Sequence, residues 1–162
     1  MINLLTKLKN KLVDLLSQRT IKVKPVGILS KIPTQATSGS GGFDLFTTEA
    51  YTLAPNGRWA APVGIALGMP KGFVALICPK SGLAAKNGVT VLNGPGVIDS
   101  DYTGELKAIL VNQDPVNEMK FEVGDKVAQL LFIETANVKL KLVYDLPATD
   151  RGQNGFGSTG KN

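Results

Sequence analysis

Tyr51-Thr-Leu-Ala-Pro-Asn-Gly-Arg-Trp-Ala-Ala-Pro-Val-Gly-Ile-Ala-Leu67 carries the grammar on which the fold turns. Three short apolar runs, Tyr51–Leu53, Arg58–Val63 and Ile65–Leu67, surround a Pro55-Asn56-Gly57 turn that reverses the chain. Proline presets φ at the first corner of such a turn, and Asn or Gly tolerates the left-handed conformation at the next. The same grammar continues in both directions. Upstream, Ile21–Val26 alternates, and Gly42–Phe46 is a brief strand after the Ser38-Gly-Ser-Gly41 loop. Downstream lie Gly72–Cys78, Val89–Leu92, Gly96–Ile98, Glu105–Asn112, Lys126–Ile133 and Lys139–Val143. Roughly ten strands at close spacing, with no helix-length segment between them, predict an all-β antiparallel sandwich or barrel. The one internal helix expected is a short piece at Ser81–Lys86.

Composition narrows the chemistry. A chain of 162 residues fits one domain with a real core, and its 18 glycines and 9 prolines suit many tight turns. There is no histidine, so the common general base is missing and a His/Cys zinc site is excluded. Acid–base work must fall to carboxylates, lysine or tyrosine. The single cysteine, Cys78, ends the apolar run Phe73–Cys78 and reads as a buried strand residue in a reducing compartment. No apolar run approaches the roughly 20 residues of a membrane span. The net charge is +5, of which Lys7, Lys9, Lys11 and Arg19 against Asp14 supply +3. That leaves the body little charge for nucleic acid; a small polyanion suits it equally well.

The two ends differ from the body. In residues 1–18, Met1, Leu5, Leu8, Leu12 and Leu15/Leu16 recur at helical spacing, with Lys7, Asn10, Lys11 and Asp14 elsewhere on the wheel. This basic amphipathic helix could dock on the body, associate with its own copies, lie on an anionic membrane or serve targeting. The tail, Arg151-Gly-Gln-Asn-Gly-Phe-Gly-Ser-Thr-Gly-Lys-Asn162, cannot hold itself in a fold and is expected to be mobile when free. By composition it is either a frayed terminus or a lid over a nucleotide. It has the cation, ring, hydroxyls and open amides that a lid needs. The boundaries expected are 1–20 for the extension, 21–148 for the β domain and 149–162 for the tail.

Two internal stretches carry polar chemistry. In Pro79-Lys-Ser-Gly-Leu-Ala-Ala-Lys-Asn-Gly88, proline stops the strand, Ser81 is a good N-cap, and the helix start offers free amides beside Lys80. The alternative is an ordinary capped turn. In Leu92-Asn-Gly-Pro-Gly-Val-Ile-Asp-Ser-Asp-Tyr-Thr-Gly-Glu105, the glycines and proline suggest a hairpin open to a flat ligand. Asn93 can donate and accept at once, as a pyrimidine edge requires. Asp99, Asp101, Tyr102 and Glu105 cluster beyond it, either as water-polarising and sugar-packing groups or as a plain acidic turn.

With these stretches in order, the chain resembles the trimeric deoxyuridine triphosphate nucleotidohydrolases (dUTPases). Five motifs carry the resemblance, over about Ile21 to Gly160: Gly41–Leu45, Pro79–Ala84, Asn93–Glu105, Gly124–Phe132 and Arg151–Gly160. It implies a jelly-roll-like β-fold and a homotrimer with active sites shared between subunits, the third chain supplying its tail as a lid. The implied reaction is dUTP plus water to dUMP plus pyrophosphate, which keeps uracil out of DNA and supplies dUMP for thymidylate synthesis. Mg2+ would be held mainly by the triphosphate, with no direct protein ligand. The setting implied is cytoplasmic, or the host-cell cytoplasm for a virus-encoded chain, with neither nucleic acid nor membrane as partner.

Position by position, the resemblance assigns Asp99 to orienting and activating the attacking water. The absence of histidine agrees, since a carboxylate must take that role. Asn93 and the backbone near Gly94 and Lys107 match the hairpin that reads uracil, whose donor–acceptor order cytosine reverses. Gly96 would keep that hairpin tight against thymine's methyl, with Val97 and Ile98 contributing backbone or packing. Tyr102 matches the ring under the deoxyribose. Lys80, Ser81, Gly82 and Gln129 match phosphate contacts. Arg151, Phe156, Gly157, Ser158 and Thr159 match the lid, and Asp44 matches a supporting residue near the Mg2+–phosphate region, acting through water or through a bond to a group around the ion.

The sequence departs from the pattern twice. Lys80 stands where the second motif usually has arginine, keeping the charge but losing the bidentate fork. Thr103 stands where arginine or glutamine is common. Two other readings share the fold: a nucleotide-sensing regulator without turnover, and a dCTP deaminase-like enzyme using a glutamate. The intact Asp99, Tyr102 and tail weigh against the first, and Ser81-Gly-Leu83 against the second.

Overall fold

Around the Ala54–Gly57 corner the backbone does what the residues dictate. In this computed structural model, which describes residues 5–9, 12 and 20–154, Asn56 takes φ +56° and the Gly57 N–H donates to the Ala54 carbonyl at 2.9 Å. The turn does not close a hairpin, however. The strand before it, β3 (Tyr51–Leu53), pairs with β9 (Met119–Phe121), while β4 (Arg58–Gly68) pairs elsewhere.

The remaining strands are β1 (Lys22–Pro25), β2 (Phe43–Phe46), β5 (Phe73–Cys78), β6 (Val89–Val91), β7 (Gly96–Ile98), β8 (Glu105–Asn112) and β10 (Lys126–Glu134). One sheet runs β1-β4-β8-β6 and the other β2-β10-β5-β7, with every pairing antiparallel. One buried cluster takes Ala61, Val63, Ile65 and Leu110 from the first sheet and Leu45, Ile77, Val127 and Leu130 from the second. The expected antiparallel sandwich is therefore present. Tyr51 stacks on Trp59 at 4.6 Å, and Trp59 leans on Phe121 at 5.5 Å, which seats the β3–β9 ribbon on β4.

Alternation decides which face each strand buries. On β10, Val127, Ala128 and Leu130 are sealed in the core while Lys126 is exposed and Gln129 half-buried on the other side. A buried leucine of this kind stabilises the fold by roughly 2 kcal/mol. β4 carries a bulge between Pro62 and Ala66, where the register with β8 shifts. Gly64 sits in it at φ +66°, and a Cβ there would lie 2.5 Å from Thr48 Cγ2, so only glycine fits. Its N–H donates to Glu105 Oε1 at 3.1 Å, which makes that carboxylate a tie between β4 and β8.

Several sequence expectations need correction. Lys139–Val143 is not a strand; among the described residues no strand pairs with it, and Leu140 is 99% exposed. β9 is a strand the sequence did not announce, being three residues with a lysine at its centre. β6 and β7 do not form a hairpin, because they lie in different sheets and Leu92–Pro95 crosses between them. The helix Ser81–Asn87 has Lys80 as N-cap, without a side-chain cap bond, so Ser81 is its first residue rather than its cap. Cys78 is half-buried, and burial pushes its thiol pKa up, away from reactivity. In the head, residues 5–9 and 12 are helical; the rest of the expected helix, residues 1–4, 10, 11 and 13–18, lies outside the described residues. No helix among the described residues is long and apolar enough to cross a membrane.

Candidate active site

The crossover Leu92–Pro95 opens a cleft of about 430 Å³ at the junction of the two sheets. Asn93, Gly96, Val97, Ile98, Tyr102 and Lys107 all line it, so six of the residues singled out from the sequence meet in one place. Gly96 is buried opposite Ile77, and a Cβ on it would come within 3.3 Å of Asn93 Nδ2. The absent side chain is thus what gives the Asn93 amide its room. Gly94 lines a tight corner as well, donating its N–H to the Val91 carbonyl at 3.1 Å.

Tyr102 is held from two sides. Its hydroxyl donates to the Glu105 carbonyl at 3.0 Å. Its ring lies against Gly104, where a Cβ would be 2.7 Å from the hydroxyl oxygen and 2.8 Å from Cζ. Nothing in the local pattern marks Gly104 as the residue that sets this ring; the contact arises only once the chain turns back between residues 99 and 105.

Asp99 lies one residue past β7, exposed, and its carbonyl accepts from the Tyr102 N–H at 3.1 Å. It does not line the Asn93 cleft. It borders a second, wider opening of about 760 Å³ with Lys71, Asp101 and Thr135. The acidic turn therefore links a residue of one opening to a residue of the other through its own backbone.

A third group forms on the β2-β10-β5 face. Because β10 is central, Gln129 stands in register with Asp44 on one side and Cys78 on the other. Gln129 Nε2 donates to the Pro79 carbonyl at 2.9 Å, and a Cβ on Gly42 would sit 2.8 Å from Gln129 Oε1. The glutamine thereby pins the end of β5 where Lys80 begins. Lys80 Nζ donates to Asp44 Oδ1, and Lys126 Nζ reaches Asp44 Oδ2 at 2.7 Å. The Asp44 carboxylate is only 8% exposed. Burial alone would raise its pKa, but hydrogen bonds and charge from Lys126 and Lys80 together outweigh that and hold it below the ordinary range. Ser81 and Gly82 follow at the helix start, where the first amides have no intrahelical acceptor. Lys126 was not recognised from the sequence as a member of this group. It lies far from Asp44 along the chain, and only strand register joins them.

The tail residues stand apart. Arg151 is exposed, and its Nε donates to the Asn154 carbonyl at 3.0 Å within its own turn. Phe156, Gly157, Ser158 and Thr159 lie outside the described residues. Upstream, Val138, Leu140, Leu142, Tyr144 and Leu146 are 72 to 100% exposed. Among the described residues, no cluster of three or more Asp, Glu, His or Cys could hold a metal ion.

Comparison with known proteins gives a consistent result. A family model described as dUTPase matches residues 29–160. The deoxyuridine 5'-triphosphate nucleotidohydrolase of Streptomyces griseus is 44% identical over 129 residues, covering 80% of this chain and 73% of that protein. The one from Anaeromyxobacter sp. (strain Fw109-5) is 44% identical over 147 residues, covering 88% of this chain and 98% of the relative. Among solved structures, the dUTPase of Staphylococcus bacteriophage 80alpha with dUPNHPP superposes with a TM-score of 0.82 at 24% identity, covering 88% of this chain and 99% of that one. A mutant dUTPase from phage phi11 of S. aureus, whose structure reveals the coordination of a structural Mg(II) ion, gives 0.73 at 22% identity, covering 78% and 98%. At these identities the structural likenesses bear on the fold.

Proposed function

The chain belongs to the dUTPase family, and from that premise we propose that it hydrolyses dUTP to dUMP and pyrophosphate. The observation that carries this reading is the Asn93 cleft. It combines an amide with room made by Gly96 and a tyrosine ring held by Gly104 and the Glu105 carbonyl.

Uracil enters between Asn93, Gly94 and the β7–β8 backbone, where fixed donors and acceptors favour its edge over that of cytosine. Tyr102 packs under the deoxyribose. Lys80, the amides of Ser81 and Gly82, and Gln129 take the phosphates. Asp99 accepts a proton from water as the water oxygen bonds to the α-phosphorus; the bridge to the β-phosphate breaks, and pyrophosphate leaves with that electron pair. Arg151, Phe156, Gly157, Ser158 and Thr159 close over the nucleotide and exclude water.

Mg2+ would be held mainly by the triphosphate and would supply charge neutralisation there. The donors present fit that arrangement: Lys80 and Lys126 engage both Asp44 oxygens in the free chain, so this carboxylate offers no vacant ligand of its own. A homotrimer completes the site. The exposed apolar residues of Val138–Leu146 support it, since a neighbouring copy would cover them. The third chain brings its tail to the cleft as a lid. A cytoplasmic setting, beside the deoxynucleotide pool, goes with this reading.

Pyrophosphate release measured across dUTP, dCTP, dTTP and UTP is the test. Turnover is expected with dUTP and little with the others. Ammonia from dCTP, or tight dUTP binding without turnover, would overturn the assignment.

A further inference from the structure

Asp44 is one buried carboxylate with two cations, and the two are not equivalent. Lys80 begins the phosphate-binding turn, its backbone pinned by the bond from Gln129 to Pro79. Lys126 sits on β10 beside the bulge between Lys126 and Ala128, 48% exposed, in register with Phe46. The Lys80 ammonium is the one that the phosphate reading requires to turn outward. If Lys80 were the only partner, its departure would strand a buried anion, which is costly.

We propose that Lys126 is a positioning residue that neutralises Asp44 when Lys80 leaves it for a substrate phosphate, and so sets how readily Lys80 binds. This rests on the dUTP-hydrolase reading. Lys126 does not need to touch the nucleotide. It keeps the carboxylate paired on Oδ2 while Oδ1 is vacated, so the exchange of Lys80 between two anions has no unpaired stage. The same pairing explains how a lysine can stand at position 80. An ammonium on a flexible stem, unlike a rigid guanidinium fork, can swing from one anion toward another.

The test begins with the wild-type protein, whose dUTP turnover with Mg2+ stands or falls with the reading above. Given that turnover, Lys126→Met is expected to raise KM for dUTP about tenfold, the scale of one charge-assisted hydrogen bond, with kcat little changed. Affinity for a non-hydrolysable dUTP analogue should fall in parallel, and Lys126→Arg should restore both. In an Asp44→Asn background the Lys126→Met effect should vanish, since no carboxylate is left to hold Lys80. A direct attraction between Lys126 and phosphate would instead persist in that background. Persistence there, or an unchanged KM in Lys126→Met while the wild type turns over, overturns the proposal. So does a fall in melting temperature without any change in analogue affinity.

Discussion

The Asn93 cleft and the segment from Val138 to Asn154 use similar residues to opposite effect. In the cleft, β7 and β8 are anchored by ladders to β5 and β4, and neighbours leave room for one recognition side chain and hold the other. Asn93 has Gly96, and Tyr102 has Gly104 and the Glu105 carbonyl. In the C-terminal segment the apolar side chains stand in the open, and among the described residues Arg151 bonds within its own turn. Recognition of a flat base benefits from groups already in place, because no ordering entropy is lost on binding. A cover has to open and close, so it cannot be built that way.

Loss of the Asp99 charge should have the largest effect. Asp99→Asn is expected to lower kcat by about 10²-fold or more, as loss of a general base does, with nucleotide binding retained. Near-normal turnover would remove Asp99 from the chemistry. Truncation after Thr149 should come next, cutting turnover roughly tenfold or more through loss of a charged phosphate contact while leaving the melting curve in place. A matching loss of stability would show that the tail belongs to the body and erase the contrast. Gly104→Ala should act within the cleft alone. By displacing the Tyr102 ring it should raise the UTP-to-dUTP ratio about fivefold, the scale of one pocket contact. An unchanged ratio would mean that the ring does not sense the sugar.

The smallest expected effect lies in the pH dependence of stability. Asp44 is held below its ordinary value of 3.8 in the fold. A group depressed in this way stabilises above its unfolded pKa, and the contribution is lost as pH falls through the folded value. Wild type should therefore exceed Asp44→Asn by on the order of 1 kcal/mol near neutrality. Thermal melts from pH 7 downward should show that margin shrinking below about pH 4. A margin independent of pH would mean that shape rather than charge holds the site.

Local pattern made most strands legible, because alternation and turn residues act over a few positions. Lys139–Val143 shows where that signal ends. Its residues alternate as a strand does, but a strand needs a partner, and none among the described residues pairs with it. The crossover at Leu92–Pro95 looked like a hairpin because glycine and proline mark a bend without saying which sheet receives the chain next. Of the site, Asn93, Tyr102, Lys80 and Gln129 could be assigned through the family resemblance. Gly104 and Lys126 could not, since one acts by lacking an atom and the other by lying across a sheet from its partner.

β10 presents its core residues and its site residues on opposite faces, Val127, Ala128 and Leu130 inward and Lys126 and Gln129 outward. The strand is therefore a modular part. A protein engineer could rewrite the charge of the outer face, toward a different polyanion, by changing Lys126 together with the Asp44 it pairs with, while the inner face goes on specifying the same sandwich. The reverse also holds: repacking the interior for heat resistance would leave the chemistry of that strand untouched, so the two properties can be selected in separate libraries.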